Sequence, residues 1–222
     1  MVSVPLRLML LRHAPVVGLA PGVCYGALDL SADDAATAAA ARVIAPQQPA
    51  CTPVWTSSRQ RTRALGAAIA RMRPDLTAPQ VDPRLDEMDF GAWEGQAWSA
   101  LPASAFDAWM ADFAHHRVGG GESVAQLLTR VAQALAELAA RERAPATLKA
   151  AAVHALWITH AGVIRAVHYL LAESDRMPAA ASAWPALPLA FGAACTVELP
   201  LGWRLWPPTG KRENAGSLLQ KE

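Results

Sequence analysis

LMLLRHA, at residues 8–14, is the stretch that indicates the fold of this chain. A short apolar run bounded by polar and turn-forming residues is typical of a strand buried in a parallel sheet. In open α/β sheets, reactive side chains collect at the carboxyl edge, where such strands end. Arg12 and His13 would place a fixed positive charge there, beside an imidazole that can attack phosphorus. Because Arg-His pairs are common, the interpretation depends on the segments that follow.

Strand-like and helix-like patterns alternate along the chain, which predicts an α/β fold. Predicted strands cover residues 6–11, 54–56, 155–159, 191–199 and 203–206, with a short one inside 79–95. Predicted helices cover residues 33–43, a stretch from Ser57 or Ser58 as N-cap to about Met72, 96–101, 104–116, a long segment after Gly121, and 162–172. The expected architecture is a three-layer sandwich. A mostly parallel central sheet is flanked by helices, with a C-terminal antiparallel hairpin and a small helical cap.

The length of the chain suits one substantial domain, which we expect to cover residues 1–208. Within it, the segment around 96–120 is expected to form the cap over the site. Residues 209–222 are polar and are interpreted as a C-terminal tail.

Composition restricts the partners of this protein. The net charge is +1, so nothing electrostatic favours nucleic acid or an anionic membrane as a general partner. Three cysteines, at 24, 51 and 195, form neither a CxxC pair nor an even set, which favours free thiols in a reducing compartment. The N-terminus does not resemble a signal peptide, because its apolar run is short and Arg12 interrupts it. We therefore expect a cytoplasmic protein that binds a small molecule.

The apolar stretch from 150 to 172 is nearly long enough to span a membrane. It carries three histidines and Arg165, which would be costly in lipid. We therefore interpret it as a strand, a turn and a helix inside a folded core.

Five segments carry side chains suited to phosphate chemistry. They are RHA at 12–14, TSSRQR at 56–61, LDEMDFGAWEG at 85–95, GGES at 120–123 and ITHAGVIR at 158–165. Three of them follow predicted strands and open helices, so a parallel sheet would bring them to one edge. Arginine forks and the free N–H groups of helix N-termini both suit a dianionic phosphoryl group. No metal-ligand spacing such as HExxH occurs, and we expect neither a metal nor an organic cofactor.

These segments resemble the histidine phosphatase superfamily, which also contains cofactor-dependent phosphoglycerate mutases. The resemblance runs from the first strand to the helix after His160. Within it, APGVCYGALD at 20–29 resembles the branch that contains α-ribazole phosphatases of cobalamin assembly. The resemblance implies that His13 is the nucleophile that becomes phosphohistidine. It also implies that Arg12, Arg61 and His160 hold the phosphoryl oxygens and that Glu87 donates the proton to the leaving alcohol.

Three positions depart from the usual family pattern. Ala14 and Ala161 each replace a common glycine, so each adds a methyl group near the phosphate. Arg59 stands where an apolar residue or proline is more usual and adds a cation of unknown use.

Several residues compete for these roles. Arg59 and Arg63 compete with Arg61, but successive helical side chains lie about 100° apart, so one of the three should point inward. Asp86, Asp89 and Glu94 compete with Glu87. Glu94 is more consistent with an acceptor for backbone N–H groups, and Glu122 with a carboxylate that balances a helix dipole. The negative charge of a bound phosphate favours the protonated form of a nearby carboxyl group, as a proton donor requires.

Trp98 and Trp109 lie in the expected cap, where an aromatic leaving group could stack on one of them. The alternative, which we prefer, is that both pack the cap itself. Cys24 and Tyr25 could line the mouth of the pocket. The sequence assigns neither of them a role.

The leading hypothesis is a metal-independent phosphomonoesterase that acts on a phosphate such as α-ribazole 5′-phosphate. A phosphoglycerate mutase and a broad-specificity sugar or nucleoside phosphate phosphatase are the alternatives within the family. A non-catalytic phosphate-binding module is the alternative from another class. The final strand could pair edge to edge, so a homodimer is possible.

Overall fold

The first apolar run forms a central strand of the sheet. In the computed structural model, which describes residues 6–141, 153–173 and 176–199, this strand is β1, Leu6–Arg12. Leu8, Leu10 and Leu11 are fully buried. Leucines on both faces of one strand require cover on both sides, and helices provide it.

In the described part of the chain, five strands form a mixed sheet in the order β3-β2-β4-β1-β5. The strand β1 pairs in parallel with β4, Val153–Thr159, which pairs in parallel with β2, Val54–Thr56. β2 in turn pairs in parallel with β3, Gln80–Val81. On the other side, β1 pairs antiparallel with β5, Ala194–Leu199. The predicted mostly parallel sheet with an antiparallel C-terminal edge is therefore confirmed.

Within the described residues, the fold contains five α-helices. They are α1, Asp34–Ile44; α2, Gln60–Met72; α3, Ala103–Ala111; α4, Val124–Arg141; and α5, Ala161–Ala172. α1 and α2 pack against each other and share one apolar cluster with the sheet, while α4 and α5 contribute to a second, larger cluster. Strand residues belong to both clusters, so the sheet is the middle layer and helices form the two outer layers. Over the described ranges, no helix is both long and apolar enough to span a bilayer.

The start of α2 differs from the prediction. Its N-cap is Arg59, and neither Ser57 nor Ser58 caps the helix with its side chain. Ser58 instead donates both its N–H and its hydroxyl to Asp86, each at 2.6 Å. Ser57 turns towards His160. Both serines are thus used by partners distant in sequence, which the local pattern could not reveal.

Strand β5, predicted from residue 191, begins later than predicted, at Ala194. Residues 191–193 form a turn before β5, and Gly192 adopts a φ of 72° there. Its N–H lies 3.1 Å from the carbonyl oxygens of both Arg12 and His13. This turn therefore sits against the end of β1 and not beside its middle. The predicted strand at 203–206 and the predicted tail lie outside the described residues.

Candidate active site

His13 is the first residue after β1, and its position is fixed by the backbone. Its N–H donates to the carbonyl oxygen of Thr159, the last residue of β4, at 3.1 Å. The residue is 2% exposed, and Nδ1 lies 2.7 Å from the carbonyl oxygen of Ala14. Because a carbonyl can only accept, Nδ1 carries the proton in the neutral ring. Nε2 therefore keeps a free lone pair.

The surroundings of His13 keep its imidazole neutral. Burial, reinforced by the positive charges of Arg61 and Arg12, lowers its pKa to about 3, although the hydrogen bond to Ala14 opposes this effect. At neutral pH the ring is therefore uncharged, with an unprotonated nitrogen.

His160 follows β4 and forms the N-cap of α5. Its ring centroid lies 5.0 Å from that of His13. Arg61 donates from Nε to Nδ1 of His160 at 3.3 Å, and the Ser57 hydroxyl lies 2.7 Å from Nε2. Since arginine is only a donor, Nδ1 is the acceptor and Nε2 carries the proton towards Ser57. Burial, together with nearby His13 and Arg61, lowers the pKa of His160 well below its usual value.

Arg61 is the inward-facing arginine of α2 and is fully buried. Besides its bond to His160, it donates to the carbonyl oxygens of Leu28 at 2.6 Å and Gly26 at 2.7 Å. Arg63 is exposed. Arg59 is partly buried and pairs with Asp86 at 3.0 Å. The structure thus separates the three competing arginines as helical geometry predicts.

Arg12 approaches the same spot from the end of β1. It donates to the carbonyl oxygen of Leu189 at 2.6 Å, and its guanidinium carbon lies 3.7 Å from the ring centroid of Phe191. Its Nε is buried and has no hydrogen-bond partner within the described part of the chain. A buried donor without a partner is costly, so this N–H is available to a bound anion.

The four competing carboxylates have different environments. Glu94 accepts four backbone N–H groups, those of Gly26, Ala27, Leu28 and Phe90, at 2.9 to 3.1 Å. Asp86 is held by Ser58 and Arg59, and Asp89 is exposed. Glu87 accepts the N–H of Gly162 at 3.0 Å, in the first turn of α5. Burial lowers the pKa of both Arg12 and Arg61, and the negative charge of Glu87 partly offsets this effect. Glu87 is thus the acid that faces the two arginines.

The loop before Glu87 is supported from α4. Arg130 forms a two-pronged ion pair with Glu122, at 2.7 and 2.8 Å. The same guanidinium donates to the carbonyl oxygens of Arg84 and Asp86. Glu122, which the sequence predicted to balance a helix dipole, lies just before α4 and forms the ion pair with Arg130 that supports the loop.

Tyr25 and Phe191 also line the site, although no role for either followed from the sequence. The Tyr25 ring centroid lies 5.4 Å from the guanidinium carbon of Arg61, and its hydroxyl interacts with Arg12. Burial raises the pKa of Tyr25, partly offset by those two arginines. Phe191 lies in a region predicted as strand, so nothing in its local pattern pointed to the site.

The two cap tryptophans pack within the protein. Trp98 and Trp109 both contact Trp93, with ring centroids 6.2 and 5.9 Å apart, and Trp109 stacks on Phe113 at 5.7 Å. This favours the packing interpretation over stacking on a substrate.

Cys24 is buried, and burial, with the charges of Glu94 and Glu87, raises the pKa of its thiol to about 12.

The structure therefore brings together all five site residues that the sequence singled out. Two guanidiniums, two neutral imidazoles and one carboxyl group surround one spot at the carboxyl edge of the sheet. Among the residues that the structure describes, no group of three or more metal-binding side chains is arranged to hold an ion. Chemically, the arrangement offers a neutral imidazole with a free lone pair, two fixed positive charges and one carboxyl group.

Comparisons with known proteins show which family the chain is similar to. The sequence model of the histidine phosphatase superfamily (branch 1) matches residues 8–185. No curated protein matches the chain.

Three solved structures illustrate the similarity. A mycobacterial hydrolase is 25% identical in sequence to this chain, with a TM-score of 0.74. The match covers 88% of this chain and 83% of the hydrolase. Mycobacterial glucosyl-3-phosphoglycerate phosphatase is 26% identical, with a TM-score of 0.71, and the match covers 86% of this chain and 88% of that protein. A protein from Thermus thermophilus is 28% identical with a TM-score of 0.62, covering 87% and 94%.

Proposed function

Because the chain belongs to the histidine phosphatase superfamily (branch 1), we propose that it hydrolyses phosphate monoesters through a phosphohistidine on His13. Membership and the similar structures support a phosphatase or mutase-type enzyme. The observation that carries the hydrolase proposal is the protonation state of His13. Its buried ring donates the Nδ1 proton to the carbonyl oxygen of Ala14, which leaves the lone pair of Nε2 available.

In the first step, the lone pair of Nε2 attacks phosphorus in line with the ester oxygen. A P–N bond forms as the P–O bond to the leaving group breaks. The leaving oxygen takes a proton from the carboxyl group of Glu87, so the product departs as a neutral alcohol. Arg12 and Arg61 stabilise the charge on the equatorial oxygens.

The second step returns His13 to its starting state. Water attacks phosphorus and gives one proton to the Glu87 carboxylate as the P–N bond breaks. The products are inorganic phosphate, the neutral imidazole and a protonated Glu87. Because each proton transferred in one step is restored in the other, the cycle balances without a further reactant.

His160 is proposed as the third contact to the phosphoryl group. Both of its ring nitrogens are engaged, one by Arg61 and one by Ser57. A dianion beside the ring favours the protonated imidazolium, which donates from both nitrogens. Nδ1 would then direct its proton towards the phosphate, while Arg61 redirects Nε to the same anion.

For the substrate, the first candidate is α-ribazole 5′-phosphate, supported by the sequence APGVCYGALD at 20–29. The second is a phosphorylated sugar acid, supported by the similarity to glucosyl-3-phosphoglycerate phosphatase. Mutase activity and non-catalytic phosphate binding remain alternatives. A cytoplasmic location belongs to the same proposal, supported by three free cysteine thiols.

Hydrolysis of a substrate panel in EDTA tests this proposal. The panel contains α-ribazole 5′-phosphate, glucosyl-3-phosphoglycerate, 3-phosphoglycerate, fructose bisphosphates and p-nitrophenyl phosphate. A preference of several orders of magnitude in kcat/KM identifies the substrate, and activity in EDTA supports the metal-free mechanism. Exchange between 2- and 3-phosphoglycerate that exceeds hydrolysis would instead establish a mutase.

The covalent step is tested separately. Wild-type protein quenched during turnover should carry an acid-labile phosphoryl group on His13. His13→Ala should carry none and should lose turnover while keeping its fold. Turnover by this variant would overturn the mechanism, and absence of both turnover and phosphohistidine in the wild type would favour a binding module.

A further inference from the structure

Two aromatic rings flank the nucleophile, and the proposed chemistry uses neither of them. Phe191 lies 5.5 Å and Tyr25 6.4 Å from His13, measured between ring centroids. Each ring also covers one guanidinium of the phosphoryl site, Phe191 that of Arg12 and Tyr25 that of Arg61. The rings therefore lie at the boundary between the phosphoryl site and whatever is bonded to it.

The position of Phe191 is fixed although its ring is partly open. Leu189 accepts a hydrogen bond from the Arg12 side chain, and Gly192 donates to the backbone at Arg12 and His13. These contacts on both sides hold the turn against the end of β1. Yet 39% of Phe191 is exposed, which makes it one of the few exposed large apolar residues in the described part of the chain. A rigid, exposed ring beside a nucleophile is a surface ready for contact with a ligand.

We propose that Phe191, with Tyr25, forms an aromatic wall that selects leaving groups with a flat apolar face. This inference rests on the proposed function, since it assigns the leaving-group side of the same site. A phosphoryl group between Arg12 and Arg61 lies against the two rings. The group bonded to it extends away from buried His13, past the exposed part of Phe191. A flat ring there gains stacking contact that a small polar group does not.

The alternative is that Phe191 only orients Arg12 through the cation–π contact. In that case its removal would weaken every phosphate ligand equally. The aromatic wall instead requires that the loss depend on what is attached to phosphorus. Two phosphonates with the same charge distinguish these cases without any turnover.

Calorimetry with benzylphosphonate and methylphosphonate provides the test. Wild type should bind benzylphosphonate about five- to tenfold more tightly than methylphosphonate. Phe191→Ala should remove most of this preference, and Phe191→Tyr should keep it because the ring is retained. Met110→Ala, which truncates another exposed apolar side chain on α3, should leave both affinities unchanged.

Two results would overturn the aromatic wall. One is equal affinity of the wild type for the two phosphonates. The other is a Phe191→Ala variant that weakens both to the same extent. Failure of the proposed function has a different signature, because the wild type would then keep its preference between phosphonates while hydrolysing no phosphate ester and forming no phosphohistidine.

Discussion

Glu87 accepts the backbone N–H of Gly162 at 3.0 Å, so the proposed proton donor is fastened to the first turn of helix α5. His160 caps the same helix. One helix end therefore sets the positions of two site residues that lie far apart in sequence. A side chain at 162 would displace this carboxylate, because an added Cβ would lie 2.1 Å from Oε1 of Glu87.

Gly162→Ala is therefore expected to act as an active-site variant. Its methyl group must push Glu87 away from the leaving oxygen, and loss of a positioned general acid costs on the order of 100-fold or more in rate. Steady-state kinetics should show a larger loss with an alkyl phosphate than with p-nitrophenyl phosphate, whose leaving group needs little protonation. Glu87→Gln should show the same bias. An equal loss with both substrates would contradict the assignment of Glu87.

Stability should fall as the pH is lowered because of His13. This group titrates near pH 6.5 in the unfolded chain and near 3 in the folded protein. Between these values the unfolded state binds a proton that the folded state does not. The stability is thus fully present above pH 6.5 and is lost progressively as the pH falls towards 3.

His13→Gln should reduce this pH dependence by about 1.4 kcal/mol per pH unit between pH 6 and 4 at most. Urea unfolding at several pH values measures it. His115→Gln, at an exposed position, serves as the control and should keep the wild-type slope. If His13→Gln also keeps that slope, the imidazole of His13 is not held neutral in the folded protein.

Glu94→Gln should damage both stability and phosphate binding. A glutamine has one acceptor oxygen where the carboxylate serves four backbone N–H groups, and its amide donors would face some of them. We expect a loss of about 2 kcal/mol or more in the free energy of unfolding. Vanadate should also bind more weakly, because the loop held by Glu94 supplies the carbonyl groups that orient Arg61. The surface variant Glu198→Gln should change neither quantity.

Tyr25→Phe should weaken anion binding without unfolding the protein. It removes the hydroxyl that interacts with Arg12 but keeps the ring beside Arg61. Loss of one such interaction corresponds to about a three- to tenfold weaker vanadate affinity. Tyr25→Ala should weaken it further because the ring is lost as well. Unchanged affinity in both variants would show that Tyr25 does not position the arginines.

The local pattern of the sequence was sufficient for the elements that bury apolar residues. The apolar run LMLL at 8–11 predicted strand β1, and the helical spacing of apolar residues predicted helix α4. Both predictions succeeded because the pattern of apolar residues within a segment indicates whether that segment can bury them as a strand or as a helix. Helix geometry predicted that one of Arg59, Arg61 and Arg63 points inward, and the family resemblance selected Arg61. The acceptor role of Glu94 was likewise anticipated, and four backbone donors confirm it.

Contacts between distant segments required the tertiary structure. The local pattern predicted Ser57 as a helix cap, yet its hydroxyl contacts His160, 103 residues later. The same kind of pattern predicted Phe191 as part of a strand, yet its turn folds against Arg12.

The sequence by itself therefore determined which chemical groups the protein has and which strand ends carry them. Tertiary structure alone decided their protonation and orientation. The reason is physical: the pKa of His13 depends on burial and on charges from α2, and the position of Glu87 depends on one backbone N–H of α5. Both properties depend on distances between segments that are far apart in sequence, and the local sequence pattern does not specify those distances.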